Sequence, residues 1–151
     1  MEERDEDAYV AVAGPCGFSY HPLLGCRTAG GAVVGAGRQA GEARTLTSPL
    51  PNSPETVAQG KAIYDGKGAC FRCHGKDGDG NGPLAVRLNP SPRNFQDHGF
   101  WSQRTEGEVF WLIKNGSPGT GLVGYGDQLT DGEIWALIQY LRSFTGEHGP
   151  A

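Results

Sequence analysis

Residues 69–83 read ACFRCHGKDGDGNGP, and the spacing of Cys70, Cys73 and His74 in this stretch decides how the rest of the chain is interpreted. Two cysteines separated by two residues and followed at once by a histidine form the motif of covalent haem attachment. A zinc site would need two further ligands at similar spacing, and the remaining cysteines and histidines form no second compact pair. The stretch therefore predicts one haem c per chain, linked by two thioether bonds, with His74 as an iron ligand.

The composition favours a small domain without a membrane span. The chain has 151 residues, of which 37% are hydrophobic. No stretch approaches the roughly 18 consecutive apolar residues that a membrane-spanning helix needs. The first ten residues, MEERDEDAYV, contain five acids and one arginine and so account for the whole net charge of −4. The sequence has no basic patch of the kind that would indicate a nucleic-acid partner.

Helix signals begin at Ser53, which can cap a helix with Pro54 in its first turn. Two later stretches begin with a capping box, in which a threonine is followed three residues later by a glutamate. These pairs are Thr105 with Glu108 and Thr130 with Glu133. Long loops rich in glycine and proline separate the helices, and no stretch alternates convincingly as a strand does. The pattern predicts an all-α domain of three to five helices with long loops around the haem.

The first 52 residues differ in composition from the rest of the chain. TAGGAVVGAGRQAGEA, at residues 28–43, is rich in glycine and alanine and lacks an apolar period, and a Pro-rich stretch follows it. We predict an irregular N-terminal extension and linker over residues 1–52, the haem domain over 53–146 and a short tail over 147–151. Cys16 and Cys26 could close a disulfide loop or remain free thiols, and both interpretations stay open.

The motif also predicts a compartment. Thioether attachment of haem normally takes place outside the bacterial cytoplasm, so we expect a periplasmic or otherwise exported protein. The acidic N-terminus is unlike the basic start of a signal peptide, so we expect a processed form or a different true start. HPLLGC ends like a lipoprotein site at Cys26, but no charged and then apolar segment precedes it, and lipid anchoring is disfavoured.

Residues 53–145 resemble class I cytochromes c, in particular small bacterial monohaem domains. Besides the haem motif, four segments carry the resemblance: GKAIY at 60–64, NPSPRNF at 89–95, FWLIKNGSPGTG at 110–121 and LTDGEIWALIQYLRSF at 129–144. The resemblance implies the cytochrome c fold. In that fold Gly60 would let the first helix cross the last one closely, and Tyr64 would pack at the crossing.

The same resemblance implies roles on the proximal side of the haem. His74 would bind iron through one ring nitrogen, and its other nitrogen would donate a hydrogen bond to a loop carbonyl, for which Pro83 is the candidate. Such a bond fixes the ring and tunes its basicity. Arg93 would contact a haem propionate, or would be a solvated loop residue.

On the distal side the chain departs from the family. The family has a methionine ligand in a loop resembling GTGLVGYGDQL, and here Leu122 stands at its position, while the only methionine is Met1. A leucine side chain has no lone pair and cannot bind iron. Three outcomes are open: five-coordinate iron beneath Leu122, a replacement ligand from this chain, or a ligand from a partner or solvent. The candidate replacements are Tyr125, His98, His148, His21, Cys16 and Cys26.

These features lead to two functional hypotheses. The first is a periplasmic monohaem cytochrome that carries one electron between redox partner proteins and is not an enzyme. The second is a haem protein that binds carbon monoxide or nitric oxide, or has weak peroxidase activity, because the methionine ligand is missing. Without a thioether on iron the reduction potential should be lower.

Overall fold

The computed structural model describes residues 41–146 of the chain. Residues 41–43 are helical, and five α-helices and one 3-10 turn follow in the described chain. The α-helices are α1 (Pro54–Asp65), α2 (Phe71–His74), α3 (His98–Gln103), α4 (Glu106–Asn115) and α5 (Asp131–Ser143), and the 3-10 turn is Ala85–Arg87. The all-α fold with long loops is therefore confirmed.

The helices begin where the sequence offers capping groups. The Ser53 side chain accepts a hydrogen bond from the Thr56 amide at the start of α1. Both predicted capping boxes form, with Thr105 and Glu108 closing the start of α4 and a second pair closing the start of α5. These bonds satisfy amide groups that have no partner inside the helix. Helix α4 ends at Gly116, whose φ of 81° lies in the left-handed region.

Helices α1 and α5 cross closely enough to require a glycine. A Cβ atom added at Gly60 would lie 2.1 Å from the Ala136 carbonyl oxygen and 2.7 Å from Tyr140 Cβ. Tyr64, one turn further along α1, is fully buried, and its ring meets the Tyr140 ring edge-on at 5.3 Å. The expected crossing at Gly60 and the packing of Tyr64 are both confirmed.

Helix α5 also packs against α4, and the two helices contribute most of the buried core. Trp135 stacks on Phe110 with ring centroids 4.4 Å apart. Ile134, Leu137 and Ile138 are almost completely buried. Because α5 is buried along most of its length, it forms a rigid base for the loops that carry the site. Across residues 41–146, no helix is both long and apolar enough to cross a membrane.

The described chain before Ser53 contacts the start of α4. Ala43 is 2% exposed, and a Cβ atom added at Gly107 would lie 1.8 Å from the Ala43 carbonyl oxygen. Arg44 Nε lies 2.9 Å from Glu108 Oε1 in an ion pair. Residues 43 and 44 therefore pack on the domain, although they precede the predicted domain boundary at residue 53, which stays a prediction. The predicted extension up to residue 40 and the tail lie outside the described residues.

Candidate functional site

A cavity of about 250 Å³ opens between the motif helix α2, the loop at residues 88–95, helix α4 and the loop at residues 117–125. Its apolar lining includes Leu112, Ile113, Leu129, Leu137 and Leu141. Four of these five residues belong to the buried core, so the cavity extends into the centre of the fold. All three residues of the motif, Cys70, Cys73 and His74, also line it.

The two motif cysteines lie in the wall of the cavity on a short, well-anchored turn. The Cys70 amide donates to the Tyr64 carbonyl, and the Cys73 and His74 amides donate to the Cys70 carbonyl. Burial raises the pKa of the Cys70 thiol to about 12, so this group is protonated at neutral pH in the absence of a bound group. Neither Cys70 nor Cys73 forms a disulfide in the structure. No three His, Cys, Asp or Glu side chains among residues 41–146 gather as metal ligands.

The imidazole of His74 is held by the loop that contains Arg93. His74 Nδ1 lies 2.9 Å from the Arg93 carbonyl oxygen. Because a carbonyl can only accept a hydrogen bond, Nδ1 carries the proton and Nε2 keeps its lone pair. Burial lowers the pKa of His74, and the hydrogen bond to Arg93 opposes that shift. The ring is therefore held with Nε2 available as an iron ligand.

The prediction that the Pro83 carbonyl accepts a hydrogen bond from His74 is wrong. The residues on either side of Pro83 are tied to the motif helix itself, since the Gly82 amide donates to the Cys73 carbonyl and the Leu84 amide donates to the Arg72 carbonyl. Pro83 is exposed and is not part of the cavity lining. The loop that reaches the His74 ring is the later one, at Arg93.

An aromatic residue that the sequence analysis missed lies against His74. The Phe95 ring stacks on the imidazole with centroids 4.4 Å apart and planes 22° apart. The Phe95 amide donates to the Gly78 carbonyl at 2.7 Å, and Trp101 Nε1 donates to the Phe95 carbonyl at 2.8 Å. The signal was present in NPSPRNF, where Phe95 comes two residues after Arg93, but spacing alone does not show what a loop aromatic contacts.

The loop at residues 117–125, in which Leu122 stands at the position of the family's methionine, lines another part of the cavity. Leu122 is half-buried and lines the cavity together with Thr120, Gly121 and Val123. Tyr125 also lines it, and the Tyr125 hydroxyl donates to the Gly68 carbonyl at 3.1 Å. Burial raises the pKa of Tyr125. The phenol is therefore neutral and engaged with the backbone near Cys70.

Of the other replacement ligands that the sequence suggested, only His98 belongs to the described chain. His98 begins helix α3, is exposed and is not part of the cavity lining. The structure therefore does not bring His98 to the site, contrary to the hypothesis that it binds the iron. His148, His21, Cys16 and Cys26 lie outside the described residues.

Two arginines are also part of the cavity lining. Arg93 was expected from the sequence, whereas Arg104, between α3 and α4, was not. Arg104 Nη1 lies 3.8 Å from Glu108 Oε1, and its side chain is 43% exposed. Arginine pairs well with carboxylates such as haem propionates. Nothing in the sequence near Arg104 shows that the turn between two helices brings it to this cavity.

The residues present fit a covalently bound haem. A cavity that is mostly apolar meets two thiols spaced for thioether formation, one imidazole with a free Nε2 and two guanidinium groups. Haem has a large apolar ring, two carboxylates and an iron that takes nitrogen ligands, so each part of the cofactor has a matching group.

Comparisons with known proteins agree with this fit. Residues 55–141 match the family model described as cytochrome c oxidase, cbb3-type, subunit III. No curated protein matches the sequence at a significant level. Among solved structures, a chain of the reducing HAO-like protein complex of Kuenenia stuttgartiensis is similar, with 30% identity and a TM-score of 0.58. The match covers 64% of this chain and 46% of that one, so the chain spans about half the length of its structural relative.

Proposed function

The chain belongs to the c-type cytochrome family whose model is described as cytochrome c oxidase, cbb3-type, subunit III, and from this premise we propose that it is a periplasmic monohaem carrier of single electrons. The observation that supports the proposal is the cavity, whose lining brings together Cys70, Cys73 and a His74 ring held through Nδ1. When bound, haem c supplies an iron that takes up and releases one electron.

The chain's own residues prepare the site for this chemistry. Cys70 and Cys73 provide the two thioether links, which keep the cofactor attached through many cycles. The Arg93 carbonyl and the Phe95 ring hold the His74 imidazole in one orientation, so little rearrangement is needed when the charge changes. The apolar wall of leucines and isoleucine would limit the contact of the cofactor with water, which also keeps the reorganisation on electron transfer small.

We propose a carrier and not a catalyst. Among the cavity residues of the described chain, His74 is the only histidine, and its Nδ1 is committed to Arg93. A second imidazole that could move protons on a bound peroxide is therefore missing from this part of the chain. The similar chain from Kuenenia stuttgartiensis belongs to a complex, which supports redox proteins as partners here.

Covalent attachment is tested by extracting the purified protein with acid and acetone. We expect the haem to stay with the polypeptide, because thioether bonds survive this treatment. The double variant Cys70→Ser/Cys73→Ser should lose it. The matched control, Cys16→Ser/Cys26→Ser, changes two cysteines outside the motif and should retain it. Haem that leaves the unmodified protein would overturn the proposal.

Electron transfer is tested by a potentiometric titration of the haem absorbance with soluble mediators. A single reversible wave with a one-electron slope supports a monohaem carrier. The iron content per polypeptide gives the haem count independently. More than one wave, or an iron content that does not correspond to one haem, would contradict the monohaem assignment.

A further inference from the structure

The cavity supplies one clear iron ligand within residues 41–146. Cys70 and Cys73 are used for attachment, and His74 provides the nitrogen. The other polar residues of the lining are Ser91, Arg93, Arg104, Ser117, Thr120 and Tyr125. None of these is a thioether or a second imidazole, and a guanidinium group has no lone pair to offer. The remaining oxygen donor of note, the Tyr125 hydroxyl, is neutral and bonded to Gly68.

The loop around Leu122 is held in place by its own hydrogen bonds. The Ser117 amide donates to the Leu122 carbonyl at 3.0 Å, and the Leu122 amide donates to Thr120 Oγ1 at 3.2 Å. The Tyr125 amide donates to the Ile113 carbonyl at 2.9 Å, which fastens the end of the loop to α4. These bonds fix the backbone on both sides of Leu122 and so hold its side chain in the lining.

We propose that residues 41–146 would offer a bound haem no iron ligand besides His74, and that the site would therefore accept a neutral diatomic molecule, carbon monoxide or nitric oxide, beside Leu122. This inference rests on the proposed covalent haem. It adds a ligand-binding function to the electron carrier, because a haem site with an open position can bind and release a small molecule.

The lining favours a neutral ligand over an anion. An anion taken from water into an apolar site needs hydrogen-bond donors or a positive charge. The Thr120 hydroxyl already donates to the Ser117 carbonyl at 2.8 Å, and the Tyr125 hydroxyl already donates to Gly68. The guanidinium groups of Arg93 and Arg104 are assigned to the propionates. Carbon monoxide and nitric oxide need no donor, so they bind without disturbing these bonds.

The first test is the optical spectrum of the full-length, haem-loaded protein. We expect a high-spin ferrous spectrum that converts fully to a carbon monoxide complex when the gas is added. The ferric protein should bind azide weakly, because the lining would offer an anion no positive charge beyond the two arginines, which we assign to the propionates. A low-spin ferrous spectrum that is unchanged by carbon monoxide would overturn the proposal, and tight azide binding would overturn the preference for neutral ligands.

The second test restores a ligand at position 122. Leucine and methionine have similar volumes, so Leu122→Met should fold and bring a thioether to this wall. We expect the variant to become low-spin and to lose carbon monoxide binding at a gas concentration that saturates the unmodified protein. The matched control is Leu46→Met, since Leu46 is 45% exposed and lies outside the cavity lining. This control should bind the gas as before.

The outcomes separate this inference from the proposed function. A protein that keeps its haem through extraction and titrates with one electron, but refuses carbon monoxide, overturns the open site and leaves the carrier intact. In that case the single variants Cys16→Ser, His21→Gln, Cys26→Ser and His148→Gln identify the residue that fills the position, as the one whose loss restores gas binding. A protein without covalent haem overturns both proposals.

Discussion

At the scale of single residues, the site depends on how the imidazole of His74 is held. The Arg93 carbonyl fixes the ring through its edge, and Phe95 fixes it through its face. The backbone of Phe95 is itself held in place, since Trp101 Nε1 donates a hydrogen bond to the Phe95 carbonyl. The orientation and basicity of an iron ligand both follow from such contacts. Phe95 is therefore a positioning residue, and its effect should be seen in the electronic properties of the iron.

Replacing the stacked ring should change those properties without removing the haem. We expect Phe95→Leu to shift the reduction potential and the electron paramagnetic resonance spectrum of the ferric protein, because the imidazole can then rotate. Phe95→Tyr retains an aromatic face and should restore both. The control is Phe100→Leu, since Phe100 also contacts Phe95 and lines the cavity but has no ring contact with His74. Identical spectra for Phe95→Leu and the unmodified protein would show that the stacking has no such role.

At the scale of the helices, the crossing of α1 and α5 leaves no room for a side chain at Gly60. A Cβ atom there would collide with the backbone of Ala136, which cannot move without shifting α5. Gly60→Ala should lower the free energy of unfolding by about 1–3 kcal/mol through overpacking. Thermal unfolding followed by circular dichroism measures this loss.

The matched control for Gly60→Ala is Gly132→Ala, in the first turn of α5. A Cβ atom at Gly132 would meet nothing within 4 Å. This variant should be neutral or more stable by up to about 1 kcal/mol, because alanine is the better helix former. Equal midpoints for the two variants would mean that the helices separate easily at their crossing.

The start of α5 should give the protein a specific sensitivity to acid. The Lys67 ammonium and the Thr130 amide hold the pKa of Glu133 at about 2, below its ordinary value of 4.5. A carboxylate with a lowered folded pKa stabilises the fold above about 4.5, and this contribution disappears as the pH falls towards about 2. Glu133→Gln should therefore lower the thermal midpoint at pH 7, and the difference from the unmodified protein should shrink towards pH 2. A difference that is constant with pH would contradict this origin.

The local features of the fold could be predicted from the sequence, as could the crossing at Gly60 through the family resemblance, whereas the contacts made by irregular loops could not. The capping boxes at Thr105 and Thr130 involve residues three apart, so the sequence contains everything needed to predict them. The bond from His74 to Arg93 joins residues 19 apart, and its partner depends on the path of an irregular loop. The expectation of Pro83 failed for that reason. Arg104 was missed because two helices bring it to the cavity.

At the scale of the whole molecule, the cofactor is needed to complete the core. The cavity of about 250 Å³ is lined by core residues from α4 and α5. At about 24 cal/mol per Å³, a dry space of that size would cost about 6 kcal/mol. That cost is comparable with the total stability of a small domain, about 5–15 kcal/mol. Water entering the open side would reduce the cost, so 6 kcal/mol is an upper value.

The protein without haem should therefore be at most marginally folded. We expect Cys70→Ser/Cys73→Ser, prepared without cofactor, to lose much of its helical circular dichroism signal and its cooperative thermal transition at 25 °C. The loaded Cys16→Ser/Cys26→Ser control should keep both. A haem-free variant that melts with the same midpoint and sharpness as the loaded protein would show that the core closes without the cofactor.

The aromatic contacts beside His74 also give the protein an optical property. Trp101 is 8% exposed, and its indole lies 6.3 Å from the Phe95 ring, which stacks directly on His74, the proposed iron ligand. A porphyrin absorbs where indole emits, so an excited Trp101 this close to the cavity transfers its energy to the cofactor and gives almost no light. Unfolding separates the two and lets the emission return. In a variant that keeps Trp101 but carries Trp111→Phe and Trp135→Phe, tryptophan fluorescence thus reports whether the segment from Phe95 to Trp101 still lies against the haem.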